Sequence, residues 1–193
     1  MALVTLTAGA QNAAQARKML DRTAAVVGRP GGASANFTAS GAKLGSTSGT
    51  IAIKGNMFCA RTPKAIVWYN GKTQWSYLKK TNEVSVTTPN EAQRMRMNPY
   101  AFIGMYKSGY KLSMTKKGTN CLIHMTATNK KRPVKEVYLT VNSRTAQPSR
   151  VRMREGSSWI TISISNFRAR NLPNSMFTFR AKDYPKAEVI DLR

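Results

Sequence analysis

The sequence is poor in the residues that most enzymes use. Among 193 residues there are one histidine, His124, two cysteines, Cys59 and Cys121, and eight carboxylates. A nucleophile–histidine–acid triad would need that single histidine beside one of the few acids. His124 lies in the segment CLIHMTA with no Cys or Asp at a supporting spacing, and is read as structural or exposed. Two cysteines about sixty residues apart fit neither a zinc site nor a CxxC redox motif. They are compatible with a disulfide or with two separate buried thiols. No GxxxxGK, GxGxxG, HExxH or EF-hand pattern occurs. No apolar run reaches the ~18 residues of a membrane-spanning helix. The expectation is a soluble, basic binding protein, not an enzyme, with no cofactor and no metal.

What the chain has in quantity is positive charge. Thirty-one Lys and Arg against eight Asp and Glu give a net charge of +23. Three of the acids, Asp183, Glu188 and Asp191, crowd the last eleven residues, so the middle of the chain presents a positive field. Such a field favours nucleic acid, anionic lipid headgroups or acidic proteins. Arg150, Arg152 and Arg154 alternate with Val151 and Met153, which puts three guanidinium groups on one strand face. Lys130, Lys131 and Arg132 form a basic run beside Pro133. These groups read either as a phosphate-tracking surface or as a solvated strand face and hairpin tip. Because the residues alternating with the arginines are Val and Met, not Phe or Tyr, the nucleic-acid reading is the weaker one.

Hydrophobic periodicity assigns the elements. Ala16, Met19, Leu20, Thr23, Ala24 and Val27 form one stripe, predicting a helix of about four turns over residues 13–27, ended by Gly28 and Pro30. Residues 1–13 read as the remnant of a secretory signal, from the small residues Ala8-Gly9-Ala10 and Ala13. An ordinary first strand or a frayed end is the alternative. Residues 14–193 are expected to form a single domain. A short strand is expected at residues 36–40, and period-two alternation begins at Thr50. Asn70-Gly71 between AIVWY and QWSYL is a strong hairpin signal. The segment 89–107 interrupts the strands with one or two short helices, and further strands follow, including 176–180 and 187–190. About eleven antiparallel strands cannot stay flat, so a barrel or a strongly coiled sheet is expected. Ten Met, three Trp, seven Tyr and six Phe supply large, adaptable side chains suited to acyl chains, with residues around Phe102, Met105 and Tyr106 as a lid.

The order of these parts resembles the LolA-type outer-membrane lipoprotein carriers. The similarity begins with AQARKMLDRTAAVV, NFTAS and GTIAIKGNMF. It continues through TPKAIVWYNGKTQWSYLKKTNEVSV and NPYAF to SMFTFRAKDYPKAEVIDLR, from about residue 14 to the end. The resemblance implies a mainly-β (α+β) incomplete antiparallel barrel with an N-terminal helix and short lid helices. It implies a periplasmic, monomeric carrier whose apolar cavity holds the acyl chains of lipoproteins. Its partners would be acylated lipoproteins, an inner-membrane ABC-type release complex and an outer-membrane acceptor, with transient contact to anionic membrane surfaces. The alternative is a basic β module that binds nucleic acid or another polyanion. Phe58, Trp68, Trp75, Phe102, Met105 and Trp159 are the expected cavity or lid residues. One departure stands out: the family's Arg-Pro after the strand matching GTIAIK is replaced by Lys54-Gly55-Asn56, leaving Lys54 or Arg61 to secure the lid.

Overall fold

The computed structural model describes residues 4–42, 45–90, 93 and 105–193, with only the backbone described for 4–8. It contains a helix α1 (Val4–Val27), then β1 (Ala33–Gly41), β2 (Gly45–Lys54), β3 (Met57–Arg61), β4 (Ala65–Tyr69), β5 (Gln74–Leu78) and β6 (Glu83–Thr87). There follow β7 (Tyr110–Lys117), β8 (Asn120–Ala127), β9 (Val134–Asn142), β10 (Pro148–Glu155), β11 (Ser158–Ala169) and β12 (Glu188–Asp191). Hydrogen bonding joins the strands in the order β12-β6-β5-β4-β3-β2-β1-β11-β10-β9-β8-β7. The pairings with a defined register are antiparallel except β12 on β6, which is parallel. The order ends in two unjoined edges, so the sheet is open.

The chain divides into two units. The first comprises Met1–Val26, Ala39–Ser46 and Pro99–Ile164; the second comprises Val27–Thr38, Thr47–Asn98 and Ser165–Arg193. In the first unit, one sheet face carries Cys121, Ile123, Met125, Val137, Leu139, Val141 and Val151, all buried. They alternate with more exposed neighbours on the opposite face, mostly polar but including Leu122, as the two-residue period requires. Helix α1 buries Ala16, Met19, Leu20 and Thr23 along one stripe, and the Thr23 hydroxyl donates to the Met19 carbonyl four residues back. The helix has no acid in its first turn and no base in its last. Tertiary contacts hold it instead of dipole compensation. Asn12 donates to the Met114 carbonyl at 2.9 Å and accepts from the Met114 N–H at 2.7 Å. Its carboxamide thereby occupies the free edge of β7 as a neighbouring strand would. Arg22 caps the Ser143 and Arg144 carbonyls, and the Tyr106 hydroxyl donates to Asp21 at 2.6 Å.

In the second unit, direct cross-strand neighbours share a face. Cys59, Trp68 and Trp75 lie on one side of β3–β5, and Phe58, Tyr69 and Gln74 lie on the other. The first side is covered by the C-terminal segment. Phe177 is fully buried against Cys59, Ile66 and Trp68, with Leu172, Phe179 and Tyr184 packed around them.

Several expectations are corrected. The helix starts at Val4, not at residue 13. Strand β2 begins at Gly45 and β1 spans nine residues, because the Gly, Ser and Thr of this stretch pair through their backbones without an apolar face to announce them. The hairpin expected at Asn70-Gly71 does form, between β4 and β5. Tyr69 pairs with Gln74, leaving a four-residue loop in which the Asn70 side chain accepts from the Lys72 and Thr73 N–H groups and only Gly71 takes a positive φ (+99°). Residues 176–180 are not a strand. Asn174–Phe177 is a 3-10 turn after Pro173, since burying Phe177 over the sheet face excludes adding it as a strand at the edge. The helices expected within 89–107, and the lid residue Phe102, fall mostly outside the described residues.

Candidate functional site

In the first unit, an open cleft of about 540 Å³ runs between α1 and β7. Its walls are Ala13, Ala14, Tyr110 and Leu112, and Arg17 and Lys111 stand at its rim. Two successive alanines at the contact leave the space unfilled, because their side chains are too short to reach the strand. Ala13, one of the small residues read as the end of a signal sequence, is part of this wall. The cleft is held open by fixed partners. The Asn12–Met114 pair clamps the helix to the strand, and Arg17 reaches the Lys107 carbonyl at 3.5 Å. The Tyr110 hydroxyl is engaged by the Val134 carbonyl at 2.9 Å, and Arg132 covers its ring at 4.9 Å. Burial pushes the Tyr110 phenol up and Arg132 opposes it. Beside it, burial together with Asp21 pushes the Tyr106 phenol up to about 12, so it stays a neutral donor. Next to Tyr106, Met105 is buried. The cleft lies in the size range of small-ligand sites, about 300–1,000 Å³. With apolar walls and a cationic rim, it suits an extended hydrocarbon with an anionic or polar end.

The outer face of the same unit carries the basic residues picked from the sequence. Arg154 pairs with Glu136 at 2.9 Å, and Glu136 also meets His124 at 3.0 Å and the Tyr138 hydroxyl at 3.2 Å. Desolvation pushes the Glu136 carboxyl up. The hydrogen bonds from His124, Tyr138 and Arg154, with the Arg154 charge, outweigh it and hold the carboxyl below its ordinary value. Tyr138 stacks on His124 with ring centroids 4.2 Å apart and planes 3° from parallel. Arg152 sits 4.1 Å over the Trp159 ring. Arg150, Lys130 and Lys131 are exposed. Aromatics do interleave with these arginines, but across strands: Tyr138 is opposite Arg152, and Trp159 is opposite Arg154. Reading along β10 alone misses them, and the register supplies them.

The expected cavity residues do not share one wall. Trp68 and Trp75 face each other under the C-terminal segment, and Trp68 lines a cleft of about 270 Å³ whose rim carries Arg61, Arg180 and Asp183. Phe58 points to the opposite face, against Tyr69 with ring centroids 5.6 Å apart. Trp159 lies on the outer face of the first unit, and Met105 is beside Tyr106 in the same unit. The cations named as substitutes for the family's arginine both serve the second unit: Lys54 donates to the Leu172 carbonyl at 2.8 Å, and Arg61 lies 5.8 Å from the Trp68 ring. Cys59 and Cys121 are free and buried, and burial pushes the Cys59 thiol up against the opposing Arg61. Thiols in such surroundings are inert.

An open, mainly antiparallel sheet with one long N-terminal helix is the fold class of the LolA-like incomplete barrel. The chain belongs to the LolA outer membrane lipoprotein carrier protein family, whose sequence pattern matches residues 6–157. A search of curated proteins finds no match. Among solved structures, it is similar to an uncharacterized conserved protein from Thermus thermophilus, with TM-score 0.63, 13% identity, and 92% of this chain and 99% of the other covered. A LolA superfamily protein from Nitrosomonas europaea matches with TM-score 0.48 and 11% identity, covering 85% of this chain and 97% of the other.

Proposed function

We propose that this protein is a carrier that binds acyl chains of lipoproteins and ferries them across the periplasm between the inner and outer membranes, without covalent chemistry. The observation that carries the reading is the apolar-walled, cation-rimmed cleft between α1 and β7 in a chain of the carrier family. Each buried methylene is worth about 0.8 kcal/mol, so about eight of them contribute roughly 6 kcal/mol, or an affinity of tens of micromolar. That strength holds a chain and still releases it. An inner-membrane ABC-type release complex and an outer-membrane acceptor are the partners this role requires.

The test is calorimetric titration with a triacylated lipopeptide, with the unacylated peptide as control. Saturable binding that needs the acyl chains is expected, and Leu112→Asp is expected to weaken it about tenfold or more, since a charge in an apolar wall must be desolvated. Acyl-independent binding, or no binding, sinks the carrier reading.

A second reading, attachment to a polyanion or an anionic membrane surface, is favoured by the Arg150–Arg152–Arg154 face. Because His124 and Arg152 already cover the Tyr138 and Trp159 rings, that face suits phosphates better than stacked bases. Binding of single-stranded DNA should accordingly be weak, sequence-independent and steeply salt-sensitive.

A further inference from the structure

Apart from the cleft and the three-arginine face, the second unit carries a polar pocket of about 250 Å³ lined by Ser34, Asn36, Thr50, Asn166, Arg168 and Arg170. Among the described residues, no carboxylate lines it. Among the described residues, none of these six side chains has a hydrogen-bond or ion-pair partner. Elsewhere the arginines that have acids within reach use them: Arg154 pairs with Glu136, Arg180 with Asp183, and Arg193 with Asp191. Two unneutralised guanidinium groups held at one pocket repel each other, and an anion placed between them removes that repulsion. The two hydroxyls and two carboxamides around them can donate to further oxygens.

The backbone positions this set. Strand β11 alternates from Ile160 to Ile164, then presents Ser165 and Asn166 both exposed. Asn166 takes φ +51°, a left-handed conformation that non-glycine residues adopt at a cost and that Asn tolerates best. The break resets the alternation, so that Arg168 and Arg170 follow two apart. Arg170 is then fixed by its N–H to the Gly32 carbonyl at 2.9 Å, and Leu172 by its N–H to the Gly31 carbonyl at 2.8 Å. A side chain at Gly31 would run into Asn171 and the Arg170 carbonyl, so glycine is what lets this segment lie so close. A strained residue aiming two unpaired arginines into a concave, acid-free pocket is a feature that core packing does not require.

We infer that this pocket is an anion site that takes a phosphate group, through the paired guanidinium groups of Arg168 and Arg170, with Ser34, Asn36, Thr50 and Asn166 completing the oxygen contacts. Arginine's planar fork matches phosphate oxygens two at a time. The volume admits one phosphate ester and little more, so the phosphate belongs either to a free small ester or to the headgroup of a lipid. The site lies in the second unit and is independent of the acyl-chain reading.

The experiment titrates the full chain with inorganic phosphate, glycerol 3-phosphate, and vesicles of phosphatidylglycerol, with phosphatidylcholine vesicles as control. R168Q/R170Q is compared with K79Q/K80Q, which removes the same charge from an exposed turn of the same unit. Saturable binding that R168Q/R170Q weakens about tenfold or more and K79Q/K80Q leaves within about twofold establishes the site. A response to the soluble probes assigns a free ester, and a response to phosphatidylglycerol alone assigns a headgroup. Equal loss in both double variants means that the net charge of +23 attracts anions without a site, and overturns the proposal. So does the absence of saturable binding by any probe. If R168Q/R170Q does not fold, R168K/R170K keeps the charge and loses the bidentate geometry. Weakened phosphate binding by that variant supports the site, and unchanged binding overturns it.

Discussion

The two units use their sheet faces in opposite ways. In the second, an aromatic face is sealed by the chain's own C-terminal segment. Trp68 meets Phe179 at 5.6 Å and Tyr184 at 5.5 Å, and Phe177 fills the centre with no exposure. In the first, a face of Met, Ile, Val and Leu is met by α1, and two alanines on that helix leave a cleft. Large rigid rings that interlock make a wall meant to stay closed. Flexible aliphatic and thioether side chains beside an unfilled gap make one that can take an occupant. Of the aromatics expected to line a cavity, Trp68 and Trp75 lie under this seal, Phe58 is on the opposite face and Trp159 is on the outer face of the first unit.

The contrast can be broken most severely at Phe177. Phe177→Ala empties the centre of the sealed face and should cost about 3–5 kcal/mol of unfolding free energy, read from urea midpoints at constant slope. If the loss is under about 1 kcal/mol, the C-terminal segment is not the seal. Leu112→Asp is the reciprocal change. It should reduce lipopeptide affinity about tenfold while changing stability much less than Phe177→Ala does. Asn12→Ala removes both bonds from the Met114 backbone and should cost about 1–2 kcal/mol and speed amide exchange along β7. Unchanged exchange there would show that the edge is protected by something else.

The smallest expected effect is on the outer face. The Glu136 carboxyl is held below its ordinary value of 4.5 in the folded state. Its contribution to stability is therefore full above the unfolded value and is lost as pH falls through the lower folded one. Glu136→Gln should lower stability near neutral pH, and its stability should converge on that of the parent as both are acidified below the folded value. A gap between the two that is constant with pH would show that the carboxylate charge does not matter to Arg154 and His124.

Much of the second unit's strand sequence was legible. Gln74–Leu78 stands where its apolar alternation puts it, and Ala65–Tyr69 where its short apolar run before the Asn-Gly turn signal puts it. Gly45–Thr50 was not legible, since its Gly, Ser and Thr bury nothing on one face and pair only through the backbone. The pocket at Arg168 and Arg170 was missed for a related reason. Two arginines in the run NFRARN read as ordinary surface charge until the turn at Asn166 and the neighbouring strands bring four uncharged polar groups beside them.

Taken alone, the sequence determined the mostly-β character, the amphipathic helix and the positive field, because period and charge are properties of the chain itself. Tertiary structure decided which face each aromatic occupies, that 176–180 folds over the sheet instead of joining it, and which arginines find a partner. Those outcomes depend on register and on residues remote in sequence. A shift of one position in a strand moves every side chain to the other face, and nothing local in the chain records which face will be closed.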